Sequence, residues 1–388
     1  MVSATGLFVL ALFALQNASA ALLMRYTRLH HRMYNNSVAV LLQEAVIKLP
    51  CCVVLYCIEC GGWTPMLRAL VHDFREQPDS WLKMLVPAAL YTLQNNLIYF
   101  GYSNLDPAIG MITYQTKLIF TAICSVHLLG KRMHPHQWAA VCVLCAGIIA
   151  VHAFPPVSSA VPTKRVKHLG GHHVHEHASS EQPPENVQQP LQGTAAFLVA
   201  ALCTASASVY FELMIKGRKE ERESVPESPP PLLVASLWLR SIQLSLFASV
   251  VAFTAVLLQE DDLATKRAAG LLHGFTTLPW LCVVWNAGGG LLVAMTMKHA
   301  DNILRGFAQG FAILLGAIGS YLFFGLQLTP FFSLGALLVL LSIPMYDGLL
   351  SSCCPRLAAC CGVLLHGSCG PCTSDVCEPA TRALVAKG

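Results

Sequence analysis

Residues 82–129 read LKMLVPAALYTLQNNLIYFGYSNLDPAIGMITYQTKLIFTAICSVHLL and contain two apolar runs joined by a short polar turn. Each run has about 20 residues, enough for a helix to cross a hydrocarbon core of about 30 Å. In the turn, Asp106 can cap the second helix and Pro107 suits its first position. The stretch therefore predicts two consecutive membrane spans, 82–103 and 107–129.

Similar runs recur along nearly the whole chain. Its 388 residues are 55% hydrophobic and 12% charged, with a mean hydropathy of +0.55, whereas soluble domains carry about 25% charged residues. We predict an all-α integral membrane protein with about ten transmembrane helices. The predicted spans are 4–24, 38–57, 82–103, 107–129, 137–154, 193–215, 232–258, 277–297, 302–326 and 330–350.

The basic residues favour a cytosolic N-terminus. With that orientation, the cytosolic segments carry Lys131, Arg132 and the basic run KGRKEER at 216–222, as the positive-inside rule requires. No basic stripe interleaved with aromatic residues is present, so the net charge of +4 does not indicate a nucleic-acid partner.

The first apolar run has an alternative interpretation as a signal peptide, because Ala18-Ser19-Ala20 resembles a cleavage site. The run lacks a basic region before it and continues past the cut to Met24, where Arg25 ends it. We therefore expect a retained first helix.

Two polar segments interrupt the helices. The segment 155–192 contains GGHHVHEHASS and several prolines, and we expect it to be a disordered His/Pro-rich loop. The shorter segment 216–231 is expected to be a linker. The Cys-rich stretch 351–388 is expected to be a cytosolic tail, for which palmitoylation and a zinc site are both open.

The two halves of the chain share a sequence register. The matching positions are Asp106 and Asp301, Ser125 and Ser320, Gly130 and Gly325, and Pro135 and Pro330. We predict two five-helix repeats, 1–154 and 193–350. Because five is odd, the second repeat is inverted, which in secondary transporters places the substrate site near the midplane.

Lys117 is the most informative residue. At about 1.5 Å per residue from Pro107, it falls about 15 Å deep, near the bilayer centre. A lysine there costs at least about 2.5–3.5 kcal/mol unless it faces water or a counter-charge. An anionic ligand and Glu44 are both open as partners. We favour the ligand, because Glu44 and Lys48 can satisfy each other along one helix face.

Polar side chains crowd the preceding span, where Tyr91 is followed by Gln94, Asn95 and Asn96. Successive residues rotate by about 100° around a helix, so the amides cannot all face one side. Amides can read base edges and sugar hydroxyls, and the phenol can stack or bond. The alternative is hydrogen bonding between helices alone.

Further candidates lie elsewhere in the spans. A junction between two predicted helices is flanked by Lys298, Asn302 and Arg305, and the free N–H groups at a helix start can bind a phosphate. The alternative is that the two basic side chains reach to the cytosolic surface and anchor the helices there. Tyr114 and Gln115 precede Lys117. The intramembrane Arg240, beside Ser241 and Gln243, needs an acidic or ligand partner, and Glu212 is a candidate.

At these residues the chain resembles the nucleotide-sugar transporter family, in the branch that carries UDP-galactose, UDP-N-acetylglucosamine and CMP-sialic acid. The matching stretches are MRYTR, YTLQNNLIYFGYSNLD, TYQTKLIFTAICSVHLLGKRM, VYFELMIKG, SLWLRSIQLSLF, KHADNILRGFA and FFGLQLT. The resemblance implies ten helices with both termini in the cytosol. It also implies import of a nucleotide sugar into the Golgi lumen in exchange for the nucleoside monophosphate.

The resemblance assigns ligand roles to Tyr91, Gln94, Asn95, Lys117 and Lys298. The chain departs from the family's pattern at three positions. Gly110 stands where a tyrosine is usual and removes an aromatic wall, Ser241 replaces an asparagine, and Arg305 replaces a lysine. Arg305 keeps the charge and can grip a phosphate more rigidly than lysine can.

Two other function classes compete with this prediction. A divalent-metal carrier is suggested by the histidines at 172, 173, 175 and 177, but no two His, Asp or Glu residues stand at ligand spacing within a span. A membrane-bound glycosyltransferase would need an acidic pair in a lumenal loop, and the acidic run at 260–262 is better explained as a solvated loop.

The sequence thus predicts a non-enzymatic antiporter of UDP-galactose or UDP-N-acetylglucosamine, with a CMP-sialic acid transporter as the alternative. The Golgi membrane is the expected location, with the endoplasmic reticulum second. We expect no cofactor, metal site or catalytic residue, membrane lipid as a partner, and leave a homo-oligomer open. The predicted substrate-binding residues are Tyr91, Gln94, Asn95, Asn96, Tyr114, Lys117, Ser241, Gln243, Lys298, Asn302 and Arg305.

Overall fold

The structure, a computed structural model, describes residues 4–30, 34–154, 189–223, 237–258, 270–299, 302–346 and 348. Its regular elements in these ranges are helices. They are α1 Ala4–His30, α2 Asn36–Leu41, a π-helical segment Leu42–Lys48, α3 Leu49–Cys60, α4 Trp63–Glu76, α5 Pro78–Lys83, α6 Leu85–Asn104, α7 Pro107–Tyr114, α8 Lys117–Leu129, α9 Pro135–Ala153, α10 Pro190–Glu223, α11 Leu237–Leu258, α12 Thr277–His299, α13 Asn302–Phe324 and α14 Pro330–Tyr346.

Eight helical stretches in the described ranges are long and apolar enough to cross a membrane. The all-α membrane fold is therefore confirmed, while the count of ten stays a prediction. Two further helices account for the difference. The 20 residues of α6 include three consecutive amides, which lower its hydropathy, and α14 is shorter, with 17 residues.

The first helix is longer than predicted. The span 4–24 was expected to end at Arg25, but α1 continues to His30. The reason is that Arg25 is buried against protein: one of its guanidinium nitrogens donates to the carbonyls of Tyr102 and Ser103 at 3.0 and 2.8 Å. These carbonyls lie at the end of α6, 77 and 78 residues away in sequence.

A second arginine of α1 is also held inside the protein. Arg28 donates to the carbonyl of Tyr34 at 2.7 Å, and its guanidinium lies 4.6 Å from the centre of the Tyr34 ring. Along its length α1 packs against α12 and α13. It is therefore part of the bundle, as expected for a retained helix.

The second polar segment is partly helical. The linker predicted at 216–231 is wrong for residues 216–223, because the backbone of α10 continues to Glu223. Most residues of this stretch, KGRKEERE, are strong helix formers. The predicted loop 155–192 falls largely outside the described residues, as does the Cys-rich tail 351–388.

Two hairpins have the same turn. Gly130 follows α8 and Gly325 follows α13, both in the left-handed region with φ of 62° and 64°. The amide after each glycine donates to the carbonyl of Ser125 or Ser320, at 3.2 Å in both cases. Both helices therefore end in the same way, with a left-handed glycine and a bond that returns to a carbonyl six residues earlier. Since α9 and α14 each begin at the following proline, the local geometry repeats together with the sequence register.

The helices α9 and α14 cross at two glycines. A Cβ atom on Gly147 would lie 2.8 Å from the carbonyl oxygen of Gly335, and the reverse holds at the same distance. Small residues at such crossings let backbones approach closely, which is how helices associate in a membrane.

Replacing Gly147 by alanine should therefore destabilise the folded protein by about 1–3 kcal/mol, the typical effect of overpacking. Gly288→Ala is a matched control, since a Cβ there meets nothing within 4 Å. We expect thermal unfolding in detergent to give a lower midpoint for Gly147→Ala and an unchanged or higher midpoint for Gly288→Ala. Equal midpoints for the two variants would contradict this crossing.

Candidate functional site

The span 107–129 is broken at its centre. It begins as predicted, since the Asp106 carboxylate accepts from the amide of Ala108 at 2.9 Å and caps α7. Burial raises the pKa of this carboxyl, because the protein replaces its water. The helix then stops at Tyr114, and α8 starts at Lys117. The predicted span 107–129 is therefore found with the same bounds, and the structure adds a two-residue interruption inside it.

The break is a local tightening of the backbone. The amides of Gln115 and Thr116 donate to the carbonyls three residues earlier, at 3.0 and 3.1 Å. The Thr116 hydroxyl also donates to the Thr113 carbonyl at 2.6 Å. Hydroxyl side chains that bond to their own backbone bend helices, so the run TYQTK carried a signal for the break. As a result, Lys117 lies on the first turn of a half-helix.

Lys117 faces an aromatic ring and another cation. Its Nζ lies 4.7 Å from the centre of the Tyr114 ring, and the Tyr114 hydroxyl is fixed by a 2.7 Å hydrogen bond with Thr204. The positive charge of Arg305, on α13, acts on both Lys117 and Tyr91. Among the side chains that the structure describes, no carboxylate forms an ion pair with Lys117 or Arg305. The site thus has an uncompensated positive charge.

Glu44 is not the partner of Lys117. It lies on the π-helical segment, where its carboxylate binds Lys48 at 2.8 Å and accepts from Gln43 at 3.4 Å. This confirms the expectation that Glu44 and Lys48 satisfy each other. Both partners are nearly enclosed, with side chains 3% and 14% exposed, so the pair is closed within the bundle.

The amides of α6 divide between two environments. The amide oxygen of Asn96 accepts from the Ser37 hydroxyl of α2 at 2.9 Å, and its amide nitrogen donates to the Thr92 carbonyl of its own helix at 2.9 Å. Both groups of this amide are therefore already bonded within the protein. Gln94 donates to Asn95 at 3.5 Å, at the weak end of the hydrogen-bond range. These two amides are thus the ones most able to bind a ligand.

The structure brings one part of the predicted set together. The charge of Arg305 acts on both Tyr91 and Lys117, and Lys117 lies beside the Tyr114 ring, so these side chains belong to one cluster. We call Tyr91, Tyr114, Lys117 and Arg305 the cationic cluster. The side chains of Lys298 and Asn302 lie outside the described part, but their backbones stand beside the junction of α12 and α13.

Ser241 and Gln243 belong to a different network. The Ser241 hydroxyl donates to the Leu237 carbonyl of its own helix at 2.9 Å. Gln243 is fully buried, accepts from Arg240 at 2.8 Å and donates to Asp73 at 2.9 Å. The structure does not join these residues to the cationic cluster by any contact that it describes.

Glu212, expected as the partner of Arg240, binds Lys131 instead, at 2.6 Å. The prediction is wrong because α10 packs along α8, which brings Glu212 beside the turn that follows α8. The nearest acidic contact of Arg240 is indirect and runs through Gln243 to Asp73. A carboxylate far away in sequence supplies it, and the local pattern gave no sign of this.

The space expected at Gly110 is filled. A Cβ on this glycine would lie 2.8 Å from the Phe197 ring and 2.9 Å from the Tyr102 ring. The two rings meet edge to face, with centroids 4.9 Å apart. The expectation that Gly110 removes an aromatic wall is therefore only partly right, because the ring of Phe197 from α10 lies at this place.

Gln115 is a residue that the predicted set omitted. It is 1% exposed, and its amide nitrogen has no hydrogen-bond partner among the residues that the structure describes. It stands in the break, two residues before Lys117. An unpaired buried amide costs about 1–3 kcal/mol, so this donor is poised for a polar ligand or water.

The described residues contain no group of three His, Cys, Asp or Glu side chains that could hold a metal ion. The histidines at 172, 173, 175 and 177 lie outside this part of the chain.

Comparison with known proteins identifies the family of the chain. The model of the nucleotide-sugar transporter family matches residues 3–347. The UDP-N-acetylglucosamine transporter of Rattus norvegicus is 34% identical over 344 residues, covering 87% of this chain and 93% of its own. The UDP-galactose/UDP-N-acetylglucosamine transporter srf-3 of Caenorhabditis elegans is 36% identical over 345 residues, covering 87% and 81%. The UDP-galactose translocator of Bos taurus is 33% identical over 339 residues, covering 87% and 76%.

A solved structure described only as a crystal structure of a protein matches the fold with a TM-score of 0.50 at 14% identity, over 89% of this chain and 98% of that one. At that identity the likeness concerns the fold alone. The family model and the three relatives, by contrast, match nearly the whole span of helices. The chain belongs to the nucleotide-sugar transporter family.

Proposed function

We propose that this protein exchanges a pyrimidine nucleotide sugar, UDP-galactose or UDP-N-acetylglucosamine, for the nucleoside monophosphate across the Golgi membrane, delivering the sugar nucleotide to the lumen. The observation that carries the proposal is the cationic cluster, whose two charges lack a carboxylate partner among the described side chains. The relatives are named as transporters of these two sugars. The family consists of transporters, so a glycosyltransferase is set aside.

In the proposed complex the phosphates lie between Lys117 and Arg305. Each phosphate oxygen accepts hydrogen bonds, and the negative charge removes the repulsion between the two cations. Lys298 and Asn302, at the junction of α12 and α13, are assigned to the same phosphates, because helix starts present free N–H groups to anions. A divalent cation would instead be repelled from this site.

The nucleoside is assigned to the polar side of α6. Gln94 and Asn95 carry donors and acceptors that match the edge of a pyrimidine, while Tyr91 and Tyr114 offer ring faces for stacking. Gln115 adds a donor at the helix break. Asn96 and Gln243 are assigned to holding the helices together, because their amides are already bonded within the protein.

The exchange would use alternating access between two inverted five-helix repeats, 1–154 and 193–350. The shared turn after α8 and α13 supports this symmetry. In transporters of this kind, the substrate lies where discontinuous helices meet at the midplane. The break before Lys117 is such a point.

Binding of nucleotides to the purified protein tests the base preference. A ligand that binds only the folded state raises stability in proportion to the logarithm of its concentration over its Kd. We expect UMP to raise the unfolding midpoint most and CMP less, with GMP and AMP near zero. CMP ahead of UMP would support the CMP-sialic acid alternative, and stabilisation by GMP alone would contradict the pyrimidine assignment.

Replacing Lys117 by alanine should abolish the stabilisation by UMP without weakening the empty protein, because the change removes a cation that Arg305 repels. Lys48→Ala provides the contrast. It strands the buried carboxylate of Glu44 and should cost the empty protein about 3–5 kcal/mol, with partial rescue by Glu44→Gln. Thermal unfolding with and without UMP measures both effects.

The conservative change Lys117→Arg completes the series. It keeps the charge but enlarges and flattens the head group, so a closely fitted phosphate site should lose most of its UMP response. A wild-type UMP response in Lys117→Ala would contradict the role of Lys117 and move the phosphate site to Lys298 and Arg305.

A further inference from the structure

The helix α4 exposes a continuous apolar stripe. Trp63, Leu67, Val71 and Phe74 are each between 47% and 58% exposed. Their spacing of four, four and three residues places them on one face of the helix. With 14 residues, α4 is too short to cross a membrane, since a span needs about 20.

A second side of α4, which flanks the stripe next to Trp63, is fixed to the bundle. Met66 is 3% exposed and packs in a cluster with Trp81 and Trp238. The Asp73 carboxylate accepts from the Trp81 indole at 2.8 Å and from the Gln243 amide at 2.9 Å. These bonds set the rotation of α4 about its axis. The contacts of Met66 and Asp73 therefore hold α4 in an orientation that leaves the apolar stripe exposed.

A third side of the helix is polar. Arg68, His72 and Arg75 are exposed, and at about 100° per residue they follow one another on the side that borders Val71. The two arginines lie closest to the apolar stripe, and the described side chains include no ion pair with either of them. Long basic side chains at such an edge can reach lipid phosphates while their stems stay in apolar surroundings.

Exposed apolar side chains also stand on the helices just before and just after α4. Ile58, at the end of α3, and Leu82, just before α6, are both strongly exposed apolar side chains. The chain leaves α3 through Gly61 and Gly62, both at positive φ, so it can turn sharply into α4. A helix that follows a span directly and shares its outward apolar surface lies at the level where that span meets the membrane surface.

We propose that α4 lies flat in the lipid–water interface and binds phospholipid. Its stripe of Trp63, Leu67, Val71 and Phe74 contacts acyl chains, and Arg68 and Arg75 bind headgroup phosphates. One side of this short helix packs on the protein, one is apolar and one is polar. An apolar face beside a basic face is typical of interfacial helices, whose apolar face is buried about 5–10 Å into the boundary between headgroups and acyl chains. Tryptophan is enriched at this depth, which fits Trp63 at the start. The partner is lipid and not a second protein, because α4 follows the candidate membrane span Asn36–Cys60 after only two glycines, and Ile58 near the end of that span is exposed and apolar.

Tryptophan fluorescence of the full chain in phosphatidylcholine vesicles tests the proposal. Trp63→Phe is the baseline, to which Leu67→Trp on the stripe or His72→Trp on the polar side is added. Both positions are exposed, so the pair is matched for surface accessibility. The difference from the baseline reports on the added probe alone, and lipids brominated near the carbonyl end of the chain or near its terminus report on depth.

We expect the shallow brominated lipid to quench the probe at position 67 at least about twofold more strongly than the probe at position 72. For the probe at position 67, the shallow brominated lipid should also quench more strongly than the deep one. Aqueous iodide should show the reverse order for the two positions. The difference in fluorescence between the wild type and Trp63→Phe reports on Trp63 itself, which should respond to the quenchers as position 67 does. The test can therefore be made even if one added probe prevents folding.

Three results would overturn the proposal. Iodide quenching of both positions would place the stripe in water. Stronger quenching by the deep brominated lipid would place the segment inside the membrane. Protection of position 67 from both quenchers, with a dependence on protein density in the vesicle, would show a second protein copy covering the stripe.

Discussion

The positive charge that Lys117 and Arg305 place inside the bundle is the constraint on which the candidate site depends. In a membrane interior an uncompensated cation costs several kcal/mol, and two cations near each other add repulsion. The described side chains supply an aromatic ring at 4.7 Å from Lys117 but no carboxylate. The helix break at Gln115 and Thr116 places Lys117 at the start of a half-helix, beside the buried amide of Gln115. The described side chains therefore do not supply at this site the negative charge that a sugar nucleotide carries.

The other buried charges of the bundle are handled differently, which is why the cationic cluster stands apart. Arg25 binds two carbonyls at the end of α6, Glu44 binds Lys48, and Asp73 is bonded by Trp81 and Gln243. Each of these groups finds its partner within the chain and fixes one helix against another. Removal of one partner from such a pair leaves a buried charge, whereas removal of Lys117 relieves one. The same type of residue is thus structural in one place and suited to ligand binding in another.

Features that depend on neighbouring residues could be predicted from the sequence. The Asp106-Pro107 cap, the limits of most spans, the Glu44–Lys48 pair and the place of Lys117 near the middle of the span Pro107–Leu129 follow from local spacing and capping chemistry. Features that depend on distant contacts could not. The continuation of α1 rests on carbonyls 77 and 78 residues away, and the environment of Gln243 rests on Asp73, 170 residues away. Hydropathy defines a span but does not choose the partner of a buried polar group, because that choice is made by helix packing.

Counterflow in reconstituted vesicles tests the central claim most directly. Purified protein is placed in vesicles that contain UMP or no nucleotide, and uptake of radiolabelled UDP-N-acetylglucosamine and UDP-galactose is followed. If the carrier changes conformation only while its cationic site holds a nucleotide, the wild type should take up label quickly only into vesicles loaded with UMP. Lys117→Ala should abolish the difference between loaded and empty vesicles. Equal uptake into loaded and empty vesicles, or UMP-dependent uptake that survives Lys117→Ala, would contradict the account.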